Sequence, residues 1–139
     1  MLEKNIAELE ETKFKILISF YKQTYNLTTL MYIYNVTINI DETVHLEWLT
    51  WMETHIPEVL NTGKFTAAKL TEVLVDEDMG GRTYSVQYSA NTKEDIENYY
   101  KYDAERLRAE GLKKFSDKML SFRTELKLIK EFYPTNISN

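Results

Sequence analysis

From Tyr32 to Ile40 the apolar residues Tyr32, Tyr34, Val36, Ile38 and Ile40 alternate with Asn35, Thr37 and Asn39. A period of two predicts a half-buried strand. Thr43 then offers an N-cap to a helix in which Val44, Trp48, Trp51, Met52 and His55 recur at three- and four-residue spacing. Pro57 is expected to end or kink that helix, because it lacks a backbone donor and disfavours the helical conformation at Ile56. Gly63 marks the turn that follows.

A second strand is expected over Phe65 to Val75, with a bulge where the alternation fails at Ala67, Ala68 and Lys69. Asp76 to Gly81 is a turn by composition, and Tyr84, Val86 and Tyr88 then alternate with Ser85, Gln87 and Ser89 as the return strand of a hairpin. Thr92 and Asp95 approximate a capping box. The helix they open carries Ile96, Tyr99, Tyr100, Leu107 and Phe115 on its inner side and runs to about Asp117. Leu120, Phe122, Leu126 and Leu128 alternate with Ser121, Arg123, Glu125 and Lys127 in a fourth strand. The order is βαββαβ.

Residues 1–30 differ in kind: a Glu- and Lys-rich helical start to about Lys15, then a stretch of Ile, Tyr, Asn and Thr without clear period. They read as an N-terminal extension, with Met31 either the natural start or the first residue after a helix that docks on the domain. The domain itself is expected over 31–129, and 130–139 read as a tail. Such crossovers are overwhelmingly right-handed, so this order predicts an α+β, ferredoxin-like fold with a four-stranded antiparallel sheet and both helices on one face. On that basis Tyr34, Val36, Val86, Tyr88, Phe122 and Leu126 should meet the helices. Asn35, Thr37, Ser85, Gln87, Arg123 and Glu125 should lie on the open face.

Composition narrows the function classes. The chain has 17 Lys and Arg against 22 Asp and Glu, a formal net charge of -5, which opposes the phosphate attraction behind most nucleic-acid binding. RNA recognition, which shares this element order, is further disfavoured because Arg82 and Thr83 precede Tyr84 where that motif needs a basic-glycine-aromatic opening. The absence of Cys removes disulfides, thiolate metal sites and cysteine nucleophiles. No apolar run is long enough for a membrane span and no secretory signal is read, so a cytoplasmic protein is expected. The glycosylation triplets at Asn26, Asn35 and Asn136 are then coincidental.

The stretches YIYNVTINID (Tyr32 to Asp41), WLTWMETHIPEVLNTGKF (Trp48 to Phe65), GGRTYSVQY (Gly80 to Tyr88) and FSDKMLSFRTEL (Phe115 to Leu126) resemble a family of short, uncharacterised bacterial proteins, a domain of unknown function in the dimeric α/β-barrel superfamily. The resemblance implies a homodimer in which two open sheet faces meet, and it carries no assigned activity. Related families include cofactor-independent monooxygenases, haem-degrading oxygenases, muconolactone-isomerase-like enzymes and ligand-binding domains. Fold alone does not choose among these.

The candidate chemistry centres on His55, which falls in the middle of the stripe made by Val44, Trp48 and Trp51. An imidazole among aromatics could act as a general base or bind haem iron, and the plainer alternative is a core histidine with both nitrogens satisfied. A helix C-terminus favours its protonated form and burial opposes it, which leaves the sign of any shift open. Tyr34, Trp48, Trp51, Tyr84, Tyr88 and Phe122 would form an aromatic wall for a flat apolar ligand, or a closed aromatic core. Arg123 could bind a carboxylate or pair with Glu125 across a dimer. His45 is expected to face solvent, and the Asp76–Asp78 turn lacks the spacing of a calcium loop. No cofactor and no metal is expected.

Two functional expectations follow. One is a dimeric module that binds a small apolar molecule or a protein partner. The other is a cofactor-independent monooxygenase or isomerase with a cavity of roughly 300 Å3 or more beside His55, the size at which ligand pockets begin.

Overall fold

The computed structural model describes residues 2–25, 31–76, 78 and 80–135. Asn26 and Asn136 of the glycosylation triplets, and Glu77 and Met79 of the hairpin turn, lie outside the described residues. The chain divides into a compact unit over Met31–Lys127 and a second comprising Met1–Leu30 and Leu128–Asn139. In the second unit, helix α1 spans Leu2–Tyr25, ten residues past the end read at Lys15. Local pairs support its first half, where Glu11 meets Lys15 at 3.1 Å and the Thr12 hydroxyl donates to the Glu8 carbonyl at 2.9 Å.

The first unit contains β1 (Tyr32–Ile40), α2 (His45–Leu60), β2 (Ala67–Val73), β3 (Arg82–Ala90), α3 (Lys93–Tyr99), a π turn (Tyr100–Ala104), α4 (Glu105–Phe115) and β4 (Met119–Lys127). The sheet order is β2-β3-β1-β4 with every pair antiparallel, which is the ferredoxin-like arrangement. Its central strands alternate as the sequence predicts. Tyr34, Val36, Ile38 and Ile40 of β1 and Tyr84, Val86, Tyr88 and Ala90 of β3 are buried, and they join Trp48, Met52, Ile96, Tyr99, Leu107 and Phe115 from the helices in one core. Each of the larger side chains contributes about 2 kcal/mol through burial.

Several local expectations are corrected. The cap before α2 is Asp41, whose carboxylate accepts the Thr43 backbone N–H at 2.8 Å and the Thr43 hydroxyl at 2.6 Å. Pro57 does not end α2, because it falls in the last turns, and the Asn61 N–H closes onto the Pro57 carbonyl at 2.8 Å. Strand β2 runs in unbroken register against β3 from Ala67 to Val73, so the irregular Ala-Ala-Lys pattern reflects an exposed edge and not a bulge. His45 is buried and shares a hydrogen bond between its Nε2 and the Tyr84 hydroxyl, so it does not face solvent. The 3-10 turn Glu42–Val44 ahead of α2 turns the His45 side chain toward the sheet.

The largest correction concerns β4. Its register sets Arg123 opposite Val36, Ser121 opposite Ile38 and Met119 opposite Ile40, all inward positions of β1. Leu120, Phe122 and Leu126 therefore lie on the open face, where they are 70%, 64% and 41% exposed. Arg123 and Glu125 point to the helix side. Because side chains alternate with period two, assigning the more apolar set of an edge strand inward reverses every residue in it.

Candidate functional site

The pattern along the second crossover explains how the helix layer frames a cavity. The π turn inserts one residue, so the inner positions run Ile96, Tyr99, Ala104, Leu107, Gly111 and Phe115 with a wider step between Tyr99 and Ala104. Tyr100, expected inside, lies at the margin of the core, 37% exposed with its ring still against Tyr34. The same rotation brings Arg108 onto the sheet side. Gly111 lets α4 approach α2 closely, since a Cβ there would stand 2.9 Å from the Trp51 ring.

Between these helices and the β1–β4 half of the sheet lies a cavity of about 60 Å3. Its buried lining includes Trp48, Met52 and Val86, with His55 half-buried beside them. Leu112 of α4 and Arg123 of β4 are its exposed members, so it opens between α4 and the edge strand. Tyr34 is the hub. Its hydroxyl accepts hydrogen bonds from Arg108 Nη2 and Arg123 Nε, each at 2.8 Å. Its ring packs among those of Phe65, Tyr88, Tyr99 and Tyr100 with centroids 5.4–5.9 Å apart. The Arg108 guanidinium lies 5.7 Å from the Tyr100 ring centroid.

Both arginines are without a salt bridge among the described residues, whose acidic pairs involve Lys15, Lys64, Arg82 and Arg106. Three lining atoms are also buried without a hydrogen-bond partner: Trp48 Nε1, His55 Nδ1 and Arg108 Nε. Most buried polar atoms in folded proteins are paired, so three orphans around one small space are a local feature of that space. His55 stacks on Trp51 with centroids 4.3 Å apart, and burial pushes its pKa down to about 4. Desolvation thus outweighs the helix C-terminus. Burial also raises the Tyr88 hydroxyl and takes the Tyr99 hydroxyl up to about 12. At neutral pH a neutral His55 imidazole and protonated Tyr88 and Tyr99 hydroxyls therefore share the lining with the two guanidiniums.

Of the candidate ligand-binding residues, Tyr34, Trp48, Trp51, His55, Tyr88 and Arg123 line this one cavity. Tyr84 does not. It is buried against Trp48 and His45, with ring centroids 5.0 and 5.7 Å away. Phe122 is on the opposite face of the sheet, for the reason given for β4. Arg108 and Ser121 are lining residues that sequence reasoning missed: the π turn hid the first, and the reversed β4 hid the second. Among the described residues no cluster of three or more His, Asp or Glu is placed to hold a metal, and no helix is long and apolar enough to cross a membrane.

Residues 31–129 match the family model described as Domain of unknown function (DUF4286). The chain belongs to the DUF4286 family. No curated protein matches it. Two solved structures similar to this DUF4286 chain are a dimeric ferredoxin-like protein from an uncultured marine organism and a conserved protein of unknown function from Bacteroides thetaiotaomicron, described as a possible oxidoreductase. The first has a TM-score of 0.57 at 10% identity, covering 73% of this chain and 98% of its own. The second has a TM-score of 0.53 at 12% identity, covering 70% of this chain and 96% of its own. At such identities the likeness is one of fold, and it agrees with the strand order of the DUF4286 domain.

Proposed function

We propose that this DUF4286 domain is a homodimeric binding module in which two open sheet faces meet and each subunit keeps a small-ligand pocket between its sheet and helices. The observation that carries the reading is the trio of unpartnered buried polar atoms, Trp48 Nε1, His55 Nδ1 and Arg108 Nε, around one cavity. A space lined by such groups is stabilised by whatever pairs with them, and a closed aromatic core would have no need of them. The apolar ligand expected from the aromatic wall fits less well, since two guanidiniums share the lining.

A monooxygenase or isomerase acting on a flat aromatic substrate has little support, because about 60 Å3 is well below the roughly 300 Å3 such a ligand requires. Pairing through the sheet is supported by Leu120, Phe122 and Leu126, which leave an apolar stripe on the open face. A ferredoxin-like neighbour described as dimeric is consistent with it.

Trp48 and Trp51, the chain's two tryptophans, both line the cavity, so a bound molecule should alter intrinsic fluorescence. Titrating the full chain with a set of compounds of fewer than about ten non-hydrogen atoms is expected to give saturable changes in emission for at least one chemical class. If no compound changes either the emission or the melting temperature at millimolar concentration, the module reading is lost.

A further inference from the structure

We infer that the ligand of this cavity is a small monocarboxylate, clamped by Arg108 and Arg123 across the Tyr34 hydroxyl. The inference rests on the binding-module reading and gives it a ligand class. Three features of the lining select that class. The first is charge: two guanidiniums reach the cavity, and no carboxylate of the described residues forms a salt bridge with either. Asp and Glu are absent from the lining, and Glu125, on the same face of β4, is directed to the Tyr100 hydroxyl. Two cations held 2.8 Å from one hydroxyl repel each other, and an anion between them offsets that repulsion.

The second feature is the direction of the free hydrogen-bonding groups. Tyr34 already accepts from both arginines, so the proton of its own hydroxyl is left to donate. Trp48 Nε1 and Arg108 Nε are donors without acceptors. The remaining N–H groups of Arg123 and the Ser121 hydroxyl also face the lining. Donors therefore outnumber acceptors, because the Tyr34 and Ser121 hydroxyls can also donate, and His55 Nδ1 takes either role with its tautomer. A ligand that brings two acceptor oxygens satisfies this set, whereas a ligand with its own N–H or O–H groups does not.

The third is shape and size. Planar guanidinium forks match a planar carboxylate, and the stacked Trp51 and His55 rings make a flat wall beside it. A cavity of about 60 Å3 holds the equivalent of about four waters, which suits an acid of roughly four to six non-hydrogen atoms. A tetrahedral dianion asks for more donors on more sides than this wall offers.

The test uses the full chain, tryptophan emission, and three probes in a buffer free of other carboxylates: propionate, its neutral isostere propionamide, and inorganic phosphate. Propionate is expected to saturate the signal, with propionamide at least about tenfold weaker, the factor that one charge-assisted hydrogen bond contributes. Arg123→Gln and Arg108→Gln should each weaken propionate by about tenfold or more, and Arg123→Lys should fall between, because it keeps the charge and loses the fork. Circular dichroism of each variant confirms that it is folded, and Arg123, on an exposed edge strand, is the substitution least expected to disturb folding. Equal affinity for propionate and propionamide, or binding of phosphate with no binding of propionate, would overturn the carboxylate assignment and leave the module intact. A response to some neutral compound of the broader set with none to propionate does the same, and silence toward every compound removes both readings.

Discussion

His55 shows how far one side chain can be moved by its surroundings. Stacked on Trp51 and facing Arg108 and Arg123 of α4 and β4, Tyr34 and Tyr88 of β1 and β3 and Tyr99 of α3 around the cavity, it has no acidic partner in the lining to hold a proton. Its folded pKa of about 4 lies below the ordinary value of 6.5, so the unfolded chain binds more protons between the two. Stability contributed by the neutral imidazole is thus complete above about pH 6.5 and is lost as pH falls toward 4, by up to about 2 kcal/mol allowing for its partial exposure. Urea denaturation of the wild type and His55→Gln at pH 7 and pH 4.5 measures it. Wild-type stability should drop more than the variant's on acidification, and parallel losses would contradict the burial argument. Tyr34 is the second decisive residue. Tyr34→Phe strips two guanidiniums of one shared acceptor, and because both can turn toward water the cost should be modest, about 1 kcal/mol in the same assay.

At the scale of elements, the contact between α2 and α4 depends on a missing side chain. Gly111→Ala would place a carbon 2.9 Å from Trp51, whose ring is already held by His55 on one side and Phe115 at 5.6 Å on the other. The ring or the helix must then shift, and a loss of about 1–3 kcal/mol is expected in thermal or urea unfolding. A neutral or stabilising result would mean that the helices separate easily. The elements also show what the sequence could and could not reveal. Strands β1 and β3 were legible because each has one face buried beneath helices and one that is polar, so Tyr34, Val36, Val86 and Tyr88 declare their side. The same reasoning misassigned β4, whose apolar residues Leu120 and Phe122 face outward and whose Arg123 reaches in to Tyr34. Alternation identifies a strand but does not say which face is core when the other face is also apolar. The π turn was illegible for a related reason: it shifts the helical register by one residue, so Arg108 comes inward to Tyr34 while Tyr100 is left at the margin of the core. Thr43 and His45 were misread through capping, where a 3-10 turn capped by Asp41 displaced the helix start.

At the scale of the molecule, the reversed β4 changes what the open sheet face is. With Arg123 and Glu125 on it, that face would be mixed and content in water. With Leu120, Phe122 and Leu126 there instead, and Ile33 beside Leu126 in register, it carries an apolar stripe along one edge and a hydrogen-bonded polar centre, in which Ser85 donates to Asn35 at 2.6 Å and Asn35 to Thr37 at 3.2 Å. Three of its strands are nine residues long and the fourth seven, so the face spans about 30 Å by roughly 19 Å, on the order of 600 Å2 in projection. That approaches the roughly 800 Å2 per partner of a stable interface, before side-chain relief and flanking segments are added. A homodimer through this face requires that a charge at the centre of the stripe disrupt it. Phe122→Glu is the direct probe, since Phe122 is 64% exposed in the subunit and its loss should leave the fold unchanged by circular dichroism. Light scattering after size exclusion should give twice the 16.5 kDa chain mass for the wild type and for Leu46→Glu, a control on the outer side of α2, and the single-chain mass for Phe122→Glu at the same concentration. A wild type that is monomeric throughout the micromolar range, or a Phe122→Glu protein that remains dimeric, would show that the stripe serves some other contact.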